Sequence, residues 1–258
     1  MKKLLAFTLA ETLIVIGIIG VVSALTLPNL NSSTGEKEKV AKVKKIYQNL
    51  DDAVGRAIAV YGPFEEWFVN DTTAEAGNKR FAERLTEFLK ISKSCGTSVG
   101  SCFSDKLKLS RYAELVDTTD VIGSYYYSLA DGTSIAMYVF SDDWICSDSN
   151  LSGSNVCATI NVDIDGRKGA NEFGKDIFWF NIYKINNQYV VYPNLGNPED
   201  GPISGDVGEK GSYTEEIFPF MLSTLWIIEQ GNMDYLKVDS NGKCPNGTVL
   251  SWTNTSCK

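Results

Sequence analysis

The residues able to do chemistry in this chain are oxygen and sulfur donors. Asn161-Val162-Asp163-Ile164-Asp165-Gly166, followed by Glu172, matches the spacing of a calcium loop. In that register the oxygens come from Asn161, Asp163, Asp165, the Arg167 carbonyl and Glu172, with Gly166 making the turn. Ca²⁺ takes about six to eight oxygens, so alternate positions of a curling loop suit it. Three features weaken the match. Asn161 brings no charge to the first position, Lys168 stands where such loops carry an apolar residue, and the residues before the loop read as strand rather than helix. The competing reading, which the sequence favours, is a strand ending in an Asp-Gly turn. A second polar turn built on Asn171, Gly174 and Asp176 then follows, before Ile177.

Histidine is absent, which removes the commonest general base, the imidazole-based triads and the commonest zinc ligand. An enzyme is not expected, and no cofactor is required beyond possible calcium. The six cysteines are Cys95, Cys102, Cys146, Cys157, Cys244 and Cys257, an even set that reads as disulfides in an oxidising compartment. None has the close spacing of a zinc site. Their clustering suggests Cys95 with Cys102, Cys146 with Cys157 and Cys244 with Cys257, although six cysteines allow about 15 connectivities and sequence alone does not choose. The net charge of −8 disfavours a nucleic-acid surface.

The elements that must carry these residues are legible in the periodicity. From Val40 the apolar positions Val43, Tyr47, Leu50, Val54, Ala57 and Tyr61 recur in steps of three and four, predicting an amphipathic helix that Gly62-Pro63 ends. A second helix is expected from about Ala74 to Ser92. The period then changes to that of strands. Tyr125–Leu129 and Ser134–Phe140 flank Asp131-Gly132, a hairpin signal, and Ile177–Ile185 and Gln188–Tyr192 flank Asn186-Asn187. Cys157–Ile164 reads as a further strand, Asn194–Ser212 as a loop and Tyr213–Gln230 as a helix. Trp252, inside the C-terminal loop, is expected to pack on the head rather than to contact a partner.

At the N-terminus, Lys2 and Lys3 precede an apolar run from Phe7 to Leu27 whose one charge is Glu11. As a helix this run rises about 30 Å, the thickness of a hydrocarbon core, and so predicts a single span with the bulk of the chain outside. An ionised Glu there costs about 2–3 kcal/mol and calls for a cationic partner. A secretory signal peptide cut after Val22-Ser23-Ala24 is disfavoured, because Glu11 interrupts its apolar core. An uncut anchor leaves Glu11 unpaired.

Ala6-Phe7-Thr8-Leu9-Ala10-Glu11, the apolar run behind it and Pro28 together resemble the N-terminus of type IV prepilins and type II secretion pseudopilins. The resemblance implies cleavage by a prepilin peptidase between Ala6 and Phe7, N-methylation of Phe7, and assembly through Glu11, paired with the free amine of a neighbouring subunit. One departure is Ala6, where the family usually has Gly. The implied organisation is a leader at 1–6, a transmembrane and assembly helix at 7–28, and an exported globular head at 29–258. The fold class expected is α+β. A long N-terminal helix, membrane half plus amphipathic half, packs on an antiparallel sheet of about four or five strands, with extra helices and a disulfide-bounded C-terminal loop. The function expected is that of a structural subunit of a type IV pilus or type II secretion filament. Its partners would be the prepilin peptidase, other pilin subunits, the assembly machine and the membrane. It would lie in the inner membrane as a single-pass protein and then in a periplasmic or extracellular filament. The alternative is a membrane-tethered or secreted binding module that does not polymerise, which would need neither the Phe7 amine nor Glu11.

Overall fold

The structure is a computed structural model, and it describes residues 9–68, 73–109, 114–118, 123, 125–139, 146, 156–169, 171–185, 187–193, 222–239 and 242–257; within the first helix the side chains of residue 11 and residues 22–34 are outside the description. Two units divide the chain, Met1–Lys39 and Val40–Lys258.

Helix α1 is Leu9–Tyr61 and continues through Pro28 and Gly35. In the first unit its described apolar side chains face solvent, Leu13, Ile14, Ile16 and Val21 each being more than 60 % exposed. Among the described residues no helix is long and apolar enough to cross a membrane. The expected membrane half of the helix and the single-pass placement in the inner membrane are therefore corrected.

In the second unit, the Val40–Tyr61 part of α1 buries Val43, Ile46, Leu50, Ala53, Val54 and Ala57, a stripe at helical spacing. Only this segment, not a long N-terminal helix as a whole, belongs to the packed head. Its stripe lies in the main core with Ile135, Met137, Ile160, Val162 and Phe180, and Tyr47 stacks on Phe180 at 5.9 Å. Helix α2, Ala74–Thr86, starts at Thr73, whose hydroxyl accepts a hydrogen bond from the Ala76 N–H at 3.2 Å. It stops well before the expected Ser92, because Ile91–Gly96 forms strand β1. The Ser, Lys and Gly content of β1 carries no strand pattern, and pairing with β4 (Tyr125–Leu129) makes it one.

The sheet has six antiparallel strands in the order β1-β4-β5-β6-β7-β8, where β5 is Ser134–Val139, β6 Val156–Asp163, β7 Ile177–Ile185 and β8 Gln188–Pro193. A separate two-stranded sheet pairs β2, Lys106–Lys108, with β3, Leu115–Asp117. This corrects the expected four or five strands, since β1 has no apolar alternation and that of Lys106-Leu107-Lys108-Leu109 at β2 is only four residues long. One face of the large sheet meets the α1 and α2 residues of the main core. The other carries a smaller core of Val99, Phe103, Leu107, Tyr126, Ala136 and Phe173. Strands β6 and β7 are buried on both faces, which is why their sequences are apolar with few interruptions.

Helix α3 is Ser223–Gln230, and the remainder of the expected Tyr213–Gln230 helix lies outside the described residues. Trp252 packs against the main core, with its ring 4.9 Å from that of Trp226. Three disulfides close Cys95–Cys102, Cys146–Cys157 and Cys244–Cys257, so each joins sequence neighbours.

Candidate functional site

The polar residues of the second sheet face converge at the turn that joins β6 to β7. Side chains alternate along a strand, so Asn161 and Asp163 share this face. Asn161 lies between Ala136 and Trp179, and Asp163 between Ser134 and Ile177. Asp163 is 0 % exposed. Its Oδ1 accepts the Asp165 N–H at 3.2 Å, and its Oδ2 has no hydrogen-bond partner.

After Asp163 the chain turns at Gly166, whose φ of +69° is left-handed and where a Cβ would lie 3.0 Å from the Gly132 carbonyl oxygen. Asp176 then fastens the far side of the turn. Its Oδ1 accepts the Glu172 N–H at 2.6 Å, its Oδ2 accepts the Asn171 N–H at 2.8 Å, and its carbonyl accepts the Ile164 N–H at 2.9 Å. Gly169, with φ +92°, sits over the carboxylates. A methyl group there would lie 2.7 and 2.9 Å from the two Asp165 oxygens and 2.8 Å from Asp176 Oδ2.

Carboxylates this close disturb one another's ionisation. Burial, then the charges of Asp176 and Asp165, push the Asp163 carboxyl up to about 9, despite the Asp165 N–H that it accepts. Four oxygens of the turn, Asn161 Oδ1, Asp163 Oδ2, Asp165 Oδ1 and Asn171 Oδ1, are buried without a hydrogen-bond partner. Buried polar atoms are ordinarily satisfied, so this concentration marks the turn as chemically unusual.

The candidate ligands read from the sequence are only partly gathered here. Asn161, Asp163 and Asp165 lead into the turn, and Arg167 stands exposed within it. The Glu172 carboxylate lies 3.8 Å from Lys175 Nζ, and it is Asp176 whose oxygens approach Asp165 across Gly169. Among the described residues, no group of three or more His, Cys, Asp or Glu side chains is arranged to hold a metal ion as it stands. Asp176 reads from the sequence as a turn residue, and its convergence on Asp165 depends on a fold-back that spacing does not encode.

Two further polar clusters are internally matched. Glu65 accepts hydrogen bonds from Lys184 at 2.5 Å and from the Tyr189 hydroxyl, beside a groove of about 720 Å³ lined also by Ile58, Pro63 and Gln188. Burial would raise the Glu65 carboxyl, but Lys184 and Tyr189 outweigh it and hold it below the ordinary range. Asp234 accepts the Cys257 N–H at 2.8 Å, the Ser256 hydroxyl at 3.1 Å and Lys237 Nζ at 2.7 Å. That fastens the C-terminal loop beside its disulfide.

The processing and assembly residues lie at the other end of the chain. Ala6 and Phe7 fall outside the described residues, and Glu11 is described only as backbone within α1. Comparisons with protein-family models, with curated proteins and with solved structures found no match.

Proposed function

We propose that the chain is a structural subunit, a pilin or pseudopilin, of a type IV pilus or type II secretion filament. The observation that carries this reading is the exposed apolar surface of the first unit. Leu9, Leu13, Ile14, Val15, Ile16, Ile18, Ile19 and Val21 are all exposed, around a helix that contains Glu11. So large an apolar surface needs a cover. Further copies of the same helix supply one, as burying that surface drives association, and a neighbour's amine then offsets the charge of Glu11. The resemblance of Ala6 to Glu11 to the prepilin junction supplies the free amine, through cleavage before Phe7 by a prepilin peptidase. The three disulfides suit a head that works in an oxidising compartment. In this reading the protein has no chemistry of its own, and calcium is an accessory ion of the head rather than a requirement of assembly.

The test is expression beside the assembly machinery, with mass spectrometry of sheared filaments. The expected N-terminus is a methylated Phe7. Glu11→Leu removes the carboxylate and leaves the apolar surface intact, so the variant is expected to be produced at wild-type level and depleted from filaments at least tenfold, a loss of about 1.4 kcal/mol. Wild-type incorporation of Glu11→Leu would remove the carboxylate as the assembly contact, and absence of the wild-type chain from sheared filaments would overturn the filament reading.

A further inference from the structure

We propose that the tip of the β7–β8 hairpin of one copy docks into a groove on a second copy of this chain, so that heads join through two unlike patches. This deepens the filament reading by naming how neighbouring heads meet, and it rests on that reading only for its setting. The groove, of about 430 Å³, lies between α1 and the turn that joins β4 to β5. Its apolar floor is Phe88, Leu89 and Leu129, and its rim carries Lys45, Arg56 and Lys90.

Apolar fit and charge support the contact separately. Strand β7 ends on Ile185, which is 50 % exposed beside the polar Asn187 and Gln188, so the hairpin presents a single apolar knob. The groove offers that knob Phe88 and Leu89, half-buried side chains that are already packed on the main core and therefore lose little freedom on contact. The charges are complementary. Beside the knob, Glu65 is matched by Lys184 and Tyr189, whereas Glu66 is exposed on the rim of the same hollow. Helix α1 ends there at Tyr61 with no basic residue in its last turn, so the negative pole of the helix adds to the charge of Glu66. In the groove, Lys45 pairs with Asp131 at 3.9 Å and Arg56 with Asp52 at 3.5 Å, which leaves the exposed Lys90 as the surplus cation. One patch carries a spare negative charge and the other a spare positive one, and such pairs fix the register of a contact that the apolar knob stabilises.

The placement of the two patches makes the occupant a second copy in an open series. Leu129 and Lys90 belong to the β1–β4 side of the large sheet and Ile185 to the β7–β8 side, with β4 and β8 about 19 Å apart across the strands. They also differ in level along the strands. Ser134 and Ile177 both pair with Asp163 at the end where β4 turns into β5, and β7 runs from there to Ile185 at the opposite end. A contact between unlike patches is heterologous, so it leaves a vacant groove on one copy and a vacant tip on the other. Growth therefore continues past the dimer.

The experiment is sedimentation of the purified full chain over a range of concentrations, in a detergent that covers the apolar part of α1 and leaves the heads to associate. The wild type is expected to grow past the dimer as concentration rises. Glu66→Lys and Lys90→Glu, both at exposed positions, should keep the wild-type Tm, and each alone should weaken association at least about tenfold. Ile185→Asp should do the same by removing the knob. An equal mixture of the Glu66→Lys and Lys90→Glu chains should associate as the wild type does, because each tip then meets a groove of opposite charge on the other variant. A wild type that stays monomeric in detergent, full association of Glu66→Lys alone, or a mixture that fails to recover would each overturn the contact. Contact and filament are read separately. A chain whose heads associate in detergent but which never enters sheared filaments keeps this contact and loses the filament reading, whereas a chain found in filaments that fails these tests does the reverse.

Discussion

Asp234 shows how a single carboxylate fastens a whole loop. Burial alone would raise its carboxyl, but Lys237, the Cys257 N–H and the Ser256 hydroxyl outweigh burial and hold it below its ordinary value. A depressed carboxylate adds stability that is fully present above the unfolded pKa, about 3.9, and that is lost as pH falls through the lower folded value. The C-terminal loop should therefore stay docked at neutral pH and loosen only in acid below about pH 4. The Cys257 amide resonance, followed through an acid titration, should report this transition, and Asp234→Asn should shrink it. Asp234→Ala, which leaves the part-buried Cys257 N–H without its acceptor, should destabilise the protein by about 1 kcal/mol in denaturant unfolding. An amide resonance that ignores acid would assign the loop's docking to the disulfide alone.

Helix α1 in the head and the strands β6 and β7 are the elements on which the core is built. Leu50 is fully buried on the α1 stripe within the main cluster, so Leu50→Ala should cost about 2–5 kcal/mol through lost transfer energy and the cavity left behind. The exposed neighbour Asp52 should tolerate Ala within about 0.5 kcal/mol, since its 3.5 Å ion pair with Arg56 is at the surface. Equal losses at the two positions would mean that the stripe does not face the sheet. The strands carried their own signal where both faces are buried, because continuous apolar runs bounded by turn residues have few other uses. Strand β1 carried none. As an edge strand rich in Ser and Lys it takes its conformation from β4, a decision made by tertiary pairing rather than by local preference. The α2 boundary followed the same rule, as the chain turns over residues 87–90 and Ile91 and Ser92, the end of the expected helix, enter β1.

For the molecule as a whole, the three disulfides join near neighbours in sequence and staple loops to a core that is already continuous. Peptide mapping without reduction should find these pairs and no free thiol. Replacing Cys244 and Cys257 together should lower stability by about 3 kcal/mol while leaving the helices and sheet intact by circular dichroism, and collapse of the whole fold would show that the staple is part of the core. The sequence by itself determined the α1 stripe, the hairpin at Asp131-Gly132 and the apolar strands, because each depends on the spacing of neighbours along the chain. The residues around Phe7 and Glu11, which support the proposed function through their resemblance to a prepilin junction, are likewise read from the sequence. Only the tertiary structure decided the six-stranded order and the second small sheet. It alone brought Asp176 to Asp165 and left Asp163 Oδ2 without a donor. The physical reason is that periodicity reports which face of an element is buried, whereas a site is made by residues from separate elements, whose meeting is fixed when the faces pack.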